Sequence, residues 1–302
     1  MTKSIILLAS LAILLTACDQ PLPTDKTVEY SHAQNIGTVV MYRLAIHPLH
    51  NPKKLFEAYQ PLVDYINSQL QDVHLELEAS RDYPTYERKF RGREPELLLP
   101  NPWQTLQAME HGYHVIGMAG DADDFKWIFI VRKDSDIKLP IDLKGKIVSY
   151  PAATALAAAI MPQYFLYTNG IDIKTDIQNI YVGSQESSIM NVYLGKVAAG
   201  ATWPPPWRLF QKDHPEKAKQ LKVIWQTSPL VNNSVMVRDD VPEYVGKQIQ
   251  QILVGLADTP QGQVILSGME TGRIYAANDA DYSIVREYIK HFEEVVRSVE
   301  NQ

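Results

Sequence analysis

The residues best placed to do chemistry lie in one run, residues 181–207, YVGSQESSIMNVYLGKVAAGATWPPPW. Residues 177–182 read as a short strand ended by Gly183, and Ser184 is positioned to cap a helix. Gln185, Glu186 and Ser187 then fall at the helix start, where unpaired backbone N–H groups and partial positive charge favour hydrogen-bond acceptors. Ile189, Met190, Tyr193 and Leu194 follow at helical spacing up to Gly195, and 197–203 reads as a return strand of small residues. Strand, exposed helix start and return strand make either a corner that reads a ligand or an ordinary βαβ unit. Next, Trp203-Pro204-Pro205-Pro206-Trp207 offers two indoles to stack on a flat or cationic ligand, or else a rigid loop with its tryptophans buried for packing. Pro100-Asn101-Pro102-Trp103 closes an earlier strand and is read as cleft-lining, because strand ends face the crevice of an α/β sheet.

Other chemistries lack their parts. His47-x-x-His50 and His111-x-x-His114 carry no zincin glutamate, and the first pair sits in a proline-containing loop, so both are expected to be surface histidines and no metal is assigned. Asp121, Asp123 and Asp124 lack the spacing of a calcium loop and read as a solvated turn. There is no Gly-x-Ser-x-Gly elbow, Walker loop or dinucleotide fingerprint. Glu186 is the one acid in the suspected cleft, and the helix dipole explains it without catalysis. Neither an enzyme nor a cofactor is expected. A formal charge of −6 argues against nucleic acid as a partner.

The first 18 residues read as a lipoprotein signal peptide. Lys3 supplies the positive region, 5–15 is an apolar run too short to span a bilayer, and Leu15-Thr16-Ala17-Cys18 looks like a lipobox. Lipidated Cys18 would anchor the chain, at about 0.8 kcal/mol per buried CH₂. Asp19 resembles an inner-membrane retention signal, which puts the protein on the periplasmic face of the inner membrane if the source is Gram-negative. Cys18 is the sole cysteine, so disulfides, cysteine nucleophiles and zinc–thiolate sites are excluded from the mature chain. Residues 19–37 are polar, contain Pro21 and Pro23, and read as a tether. No later run is apolar enough to cross a membrane.

These side chains need a scaffold to hold them, and the remaining chain supplies one. Residues 39–46 form an apolar strand, Leu55, Tyr59, Leu62, Val63, Ile66 and Leu70 a helical stripe, and 73–78 an alternating strand. Strands and helices keep alternating, which argues for an α/β protein of two lobes. Lobe 1 is expected to comprise 38–131 plus 231–302, and lobe 2 residues 132–230. The chain then crosses twice, near 132–135 and 228–231, making a hinge around a cleft.

Several stretches resemble the phosphate/phosphite/phosphonate-type solute-binding proteins of ABC transporters. These are Phe56-Glu57-Ala58-Tyr59-Gln60-Pro61-Leu62-Val63-Asp64-Tyr65-Ile66, Val131-Arg132-Lys133-Asp134-Ser135-Asp136-Ile137 with Asp142-Leu143-Lys144-Gly145-Lys146, and Gly183-Ser184-Gln185-Glu186-Ser187-Ser188-Ile189-Met190 with Gly195-Lys196-Val197. The resemblance covers nearly the whole mature chain. It implies a type II periplasmic-binding-protein fold, two α/β lobes joined by a two-strand hinge, closing on a small solute. A permease would be its partner; a membrane kinase or cyclase read by the same closed form is the alternative. It also implies ligand contacts at Tyr83, at Thr154 in a turn where the family has Ser-Thr-Ser-Gly, at Ser184 and Gln185 where a histidine often follows, and at Phe125 in place of a tyrosine. Asn101, Trp103 and Trp203 complete the expected set. Ala153, Ala155, Gln185 and Ala198 depart from the family's polar pattern, which predicts weak binding of a phosphonate dianion.

Overall fold

The computed structural model describes residues 39–300. The signal peptide, Cys18 and the tether lie outside the described residues. A first six-stranded sheet begins with β1 (Val40–Ile46), whose chain continues through α1 (Pro52–Gln69), β2 (Val73–Glu78), α2 (Tyr83–Arg91), β3 (Leu97–Leu99), α3 (Pro102–Met109) and β4 (Tyr113–Ala119). A second, five-stranded sheet takes β5 (Ile128–Arg132), β6 (Ile147–Tyr150), α4 (Met161–Thr168), β7 (Gln178–Tyr181), α5 (Gln185–Tyr193), β8 (Ala199–Thr202), α6 (Pro204–Asp213), α7 (Pro215–Ala218) and β9 (Leu221–Gln226). The chain then returns to the first sheet with β10 (Asn233–Arg238), α8 (Glu243–Gly255), α9 (Pro260–Gly268), β11 (Ile274–Ala276) and α10 (Ser283–Val295). Strand orders are β11-β4-β10-β3-β1-β2 and β7-β6-β8-β5-β9. Among the described residues, no helix is long and apolar enough to cross a membrane.

Local chemistry explains the elements around the cleft. Asn51 accepts from Lys54 N (3.1 Å) ahead of Pro52, and the α1 stripe of Leu55, Tyr59, Leu62, Val63 and Ile66 is buried. Asp82 caps α2 at Thr85 N (2.8 Å), and Asn101 caps α3 at Trp103 N and Gln104 N. The small residues of β8 have a packing reason. A Cβ on Gly200 would stand 2.7 Å from both Ser188 O and Val192 Cγ2, so α5 lies directly on the strand.

Strand β5 departs from the sequence reading. It pairs antiparallel with β8 and β9, so residues 128–131 belong with the second sheet and not with lobe 1, and the first crossing is 120–127. Trp127 to Val131, five consecutive buried apolar residues, give no local sign of which sheet they join. The second crossing is 227–232. The two run side by side, with Thr227 N donating to Trp127 O (3.4 Å) and Leu230 N to Phe125 O (2.8 Å).

A second difference concerns residues 203–207. Pro204, Pro205, Pro206 and Trp207 are the opening turn of α6 and not a stiff loop. Proline's fixed φ and missing N–H suit the first helical positions, where no intrahelical donor is needed.

Candidate functional site

The carboxyl ends of β1, β3, β6, β7 and β8 lead into residues that meet around one cavity. His47 follows β1, Asn101 follows β3, and Asn233 opens the antiparallel β10 on the same edge. From the second sheet, residues 155–158 follow β6, Gln185 follows β7 and Trp203 follows β8. These groups, with Tyr83 and Phe125, enclose a cavity of about 10 Å³, room for about one water molecule. A crevice outside the carboxyl ends of strands is where α/β sheets bind ligands.

Most polar atoms of the wall already have work. Gln185 donates from Nε2 to Tyr83 Oη (3.3 Å) and accepts from Thr202 Oγ1 (2.9 Å), so it joins the two sheets. Asn101 spends Oδ1 on its helix cap and donates from Nδ2 to Thr154 O (3.2 Å). The Thr154 hydroxyl donates to Glu87 Oε1 (2.6 Å), which also accepts from Gln104 Nε2 (3.0 Å). Burial raises the Glu87 carboxyl above the usual range, against the pull of those two donors. The Tyr83 phenol is likewise pushed up by burial and keeps its proton. Phe125 and Trp203 face each other with ring centroids 5.6 Å apart and supply an apolar side. After β6 the chain makes one π-helical turn, 156–160, before α4; Ala158, Ala159 and Ile160 N donate to Ala155 O, and the N–H groups of Leu156 and Ala157 have no backbone acceptor among the described residues.

Of the eight expected ligand residues, the structure brings Tyr83, Asn101, Phe125, Gln185 and Trp203 together around the cavity. Thr154 lies behind the wall, on Glu87. Ser184 caps α5 at Ser187 N (3.2 Å) and does not line the cavity. Trp103 is buried on the far side of α3, where it borders a surface hollow against α10 with Leu106 and Ile289. Trp207 stacks on Phe210 at 5.9 Å, away from the cleft. His47 and His50, expected on the surface, are 2% and 6% exposed. Burial pulls each imidazole down to about 4. The sequence reading missed His47 and Asn233 as cavity residues. Both sit directly at the end of an apolar strand, the signal that was applied to Asn101.

Further contacts cross between residues of the two sheets. Lys54 pairs with Glu186 (3.1 Å) and Asp213 (2.7 Å), and Arg208 forks onto Asp124 and reaches Glu270 (3.0 Å each). Apart from Glu270, which is 9% exposed, these side chains are a quarter to just over a third open to solvent, and each pair is worth little singly. Arg297, beyond α10, is buried. It donates to Ala153 O (2.8 Å), at the turn ahead of the π-helical start, and to Gln163 Oε1 (2.8 Å) on α4. Hydrogen bonds to a charged group contribute about 1.5–3 kcal/mol each, so Arg297→Ala should cost about 3 kcal/mol after relaxation. Urea unfolding of the two proteins measures it, and equal midpoints would deny the residue this role.

A family model described as ABC transporter, phosphonate, periplasmic substrate-binding protein matches residues 44–282. The chain belongs to that family. Over 177 residues it is 24% identical to a probable ABC transporter phosphite binding protein of Prochlorococcus marinus (strain MIT 9301), covering 54% of this chain and 60% of the relative. It is 22% identical over 177 residues to the phosphonates-binding periplasmic protein of Escherichia coli (strain K12), covering 56% and 52%. The chain thus spans little more than half the length of these relatives. Among solved structures, a binding protein component of an ABC phosphonate transporter from Pseudomonas aeruginosa superposes with a TM-score of 0.79 at 14% identity, covering 85% of this chain and 87% of that one. A Prochlorococcus marinus protein in complex with methylphosphonate gives 0.76 at 21% identity, covering 84% and 99%. The fold is that of the type II periplasmic binding proteins, and the family is one of transport and not of enzymes.

Proposed function

We propose that this chain is the solute-binding subunit of an ABC transporter, held at the periplasmic face of the inner membrane by lipidated Cys18. It captures a small solute as two lobes close, and the closed form is what the permease recognises. The observation that carries this reading is the cavity where strand ends of both sheets meet, with Gln185 bonded to Tyr83 at its wall and Asn101 bonded to the Thr154 carbonyl behind it.

Its anion site differs from the pattern that the family resemblance implies. Ala155 stands where a serine hydroxyl is expected, Gln185 where an imidazole is expected, and the Thr154 hydroxyl is already given to Glu87. A dianion in a closed cleft needs several donors, so a dianionic phosphonate binds weakly. A thermal-shift screen of small solutes tests the reading. A true ligand at a hundred times its dissociation constant adds about 2.7 kcal/mol of stability. If no small solute stabilises the folded chain, or if it co-purifies with a membrane kinase or cyclase instead of a permease, the uptake reading fails.

A further inference from the structure

This inference rests on the solute-binding reading and names how that site selects its solute. Two side chains on the first-sheet wall of the cavity have a polar atom with nothing to bond. Asn233 is 4% exposed, its Oδ1 is buried without a partner, and its side-chain amide makes no hydrogen bond among the described residues. His47 holds Nδ1 2.9 Å from Leu99 O. A carbonyl only accepts, so that nitrogen carries the proton of the neutral ring, and Nε2 is left as a lone pair with no donor among the described residues.

An unsatisfied buried amide costs a fold free energy and points to a missing partner. No Lys, Arg, Asp or Glu lines the cavity, so nothing there balances a second negative charge. The opposite wall offers donors, namely the Leu156 and Ala157 N–H groups, which have no backbone acceptor among the described residues, and the Tyr83 hydroxyl. We propose that His47 and Asn233 are the first-sheet ligands of the solute, and that the site selects an oxyanion that has kept one proton. In a cleft opened beyond the present one-water cavity, the protonated oxygen donates to His47 Nε2, Asn233 bonds a neighbouring oxygen, and the unprotonated oxygens accept from Leu156 N, Ala157 N and Tyr83. A fully deprotonated phosphonate sets an oxygen lone pair against that of Nε2 and is refused. The chemical class is a monoanion such as hydrogen phosphite or a singly ionised alkylphosphonate.

The groups that face His47 do not supply this selection themselves. His50, beside it, is held neutral by the same burial, and Tyr83 keeps its proton. Lys54, Glu186 and Asp213 surround His50 as mutual ion pairs, with Lys54 raised and Glu186 lowered by that pairing against their burial. Glu87, raised by burial, lies beyond Tyr83 and is controlled for below.

The test is calorimetry of the full chain with methylphosphonate and with phosphite between about pH 6 and pH 8.5, in two buffers of different protonation enthalpy. Above the solute's second ionisation (near pH 6 for a phosphate ester) affinity should fall about tenfold per pH unit. About one proton should be taken up per solute bound there. Asn233→Ala should weaken binding about tenfold at every pH and keep the slope. His47→Gln, whose amide donates as well as accepts, should flatten it. Glu87→Gln should retain it. A pH-independent affinity, a slope that survives His47→Gln, a slope lost in Glu87→Gln, or no binding of either oxyanion at the acid end would overturn the proposal. Should His47→Gln fail to fold, the proton uptake of the natural chain decides alone. Stabilisation by some other solute in the last case would leave the solute-binding reading standing.

Discussion

Lowering the pH from about 7 to about 5 should cost this fold about 4 kcal/mol, through two histidines. His47 and His50 are buried at the β1 exit, and their folded pKa values lie near 4 because burial disfavours the charged ring. In the unfolded chain they titrate near 6.5. The folded value is the lower one, so the unfolded state takes up protons first. Stability is complete above about pH 6.5 and is lost as pH falls toward 4. At about pH 5 each ring has cost about 2 kcal/mol, since one pH unit in that window is about 1.4 kcal/mol. Carboxylate pairs such as Lys54–Glu186 are still intact there, because pairing holds Glu186 below the usual range. Urea unfolding at the two pH values is the measurement. His50→Gln should recover about half of the loss, and a stability unchanged between pH 7 and 5 would mean the rings are not held neutral.

Replacing Ala155 by serine should raise affinity for methylphosphonate by about tenfold. Ala155 lines the cavity, whereas Ala153 does not and its carbonyl is bound to Arg297. A hydroxyl at 155 adds one charge-assisted hydrogen bond, and about 1.4 kcal/mol net gives the tenfold. Gln185 is a poorer place to restore a donor, since it already spans Tyr83 and Thr202. Calorimetry of the variant against the natural chain decides the matter. An unchanged affinity would place anion recognition away from this turn.

Much of the scaffold was legible because it is written in local periodicity. The α1 stripe and the alternation of β2 each act within a few positions of themselves. Long-range pairing is not written that way. Residues 128–131 are apolar at every position, and only the completed sheet assigns them to β8 and β9. The Trp203–Trp207 run did carry a usable signal, since consecutive prolines suit a helix start, yet it read more readily as a loop. For the site, the strand-end rule points to Asn101, and the family resemblance points to Tyr83 and Gln185. These residues meet at the cavity with Trp203, and so do His47 and Asn233, each at the end of a strand. Trp103 follows the rule in sequence but not in space. One residue into α3, its side chain turns to the α10 side, a direction that spacing alone does not encode.

We propose that a solute is captured in a cleft whose anion site has fewer donors than the family resemblance implies and keeps a lone-pair acceptor at His47. Calorimetry of methylphosphonate with the natural chain at about pH 8, where the solute is mostly dianionic, tests it most directly. The expected dissociation constant is weaker than about 1 μM, equivalent to about −8 kcal/mol. Submicromolar binding at that pH would contradict it.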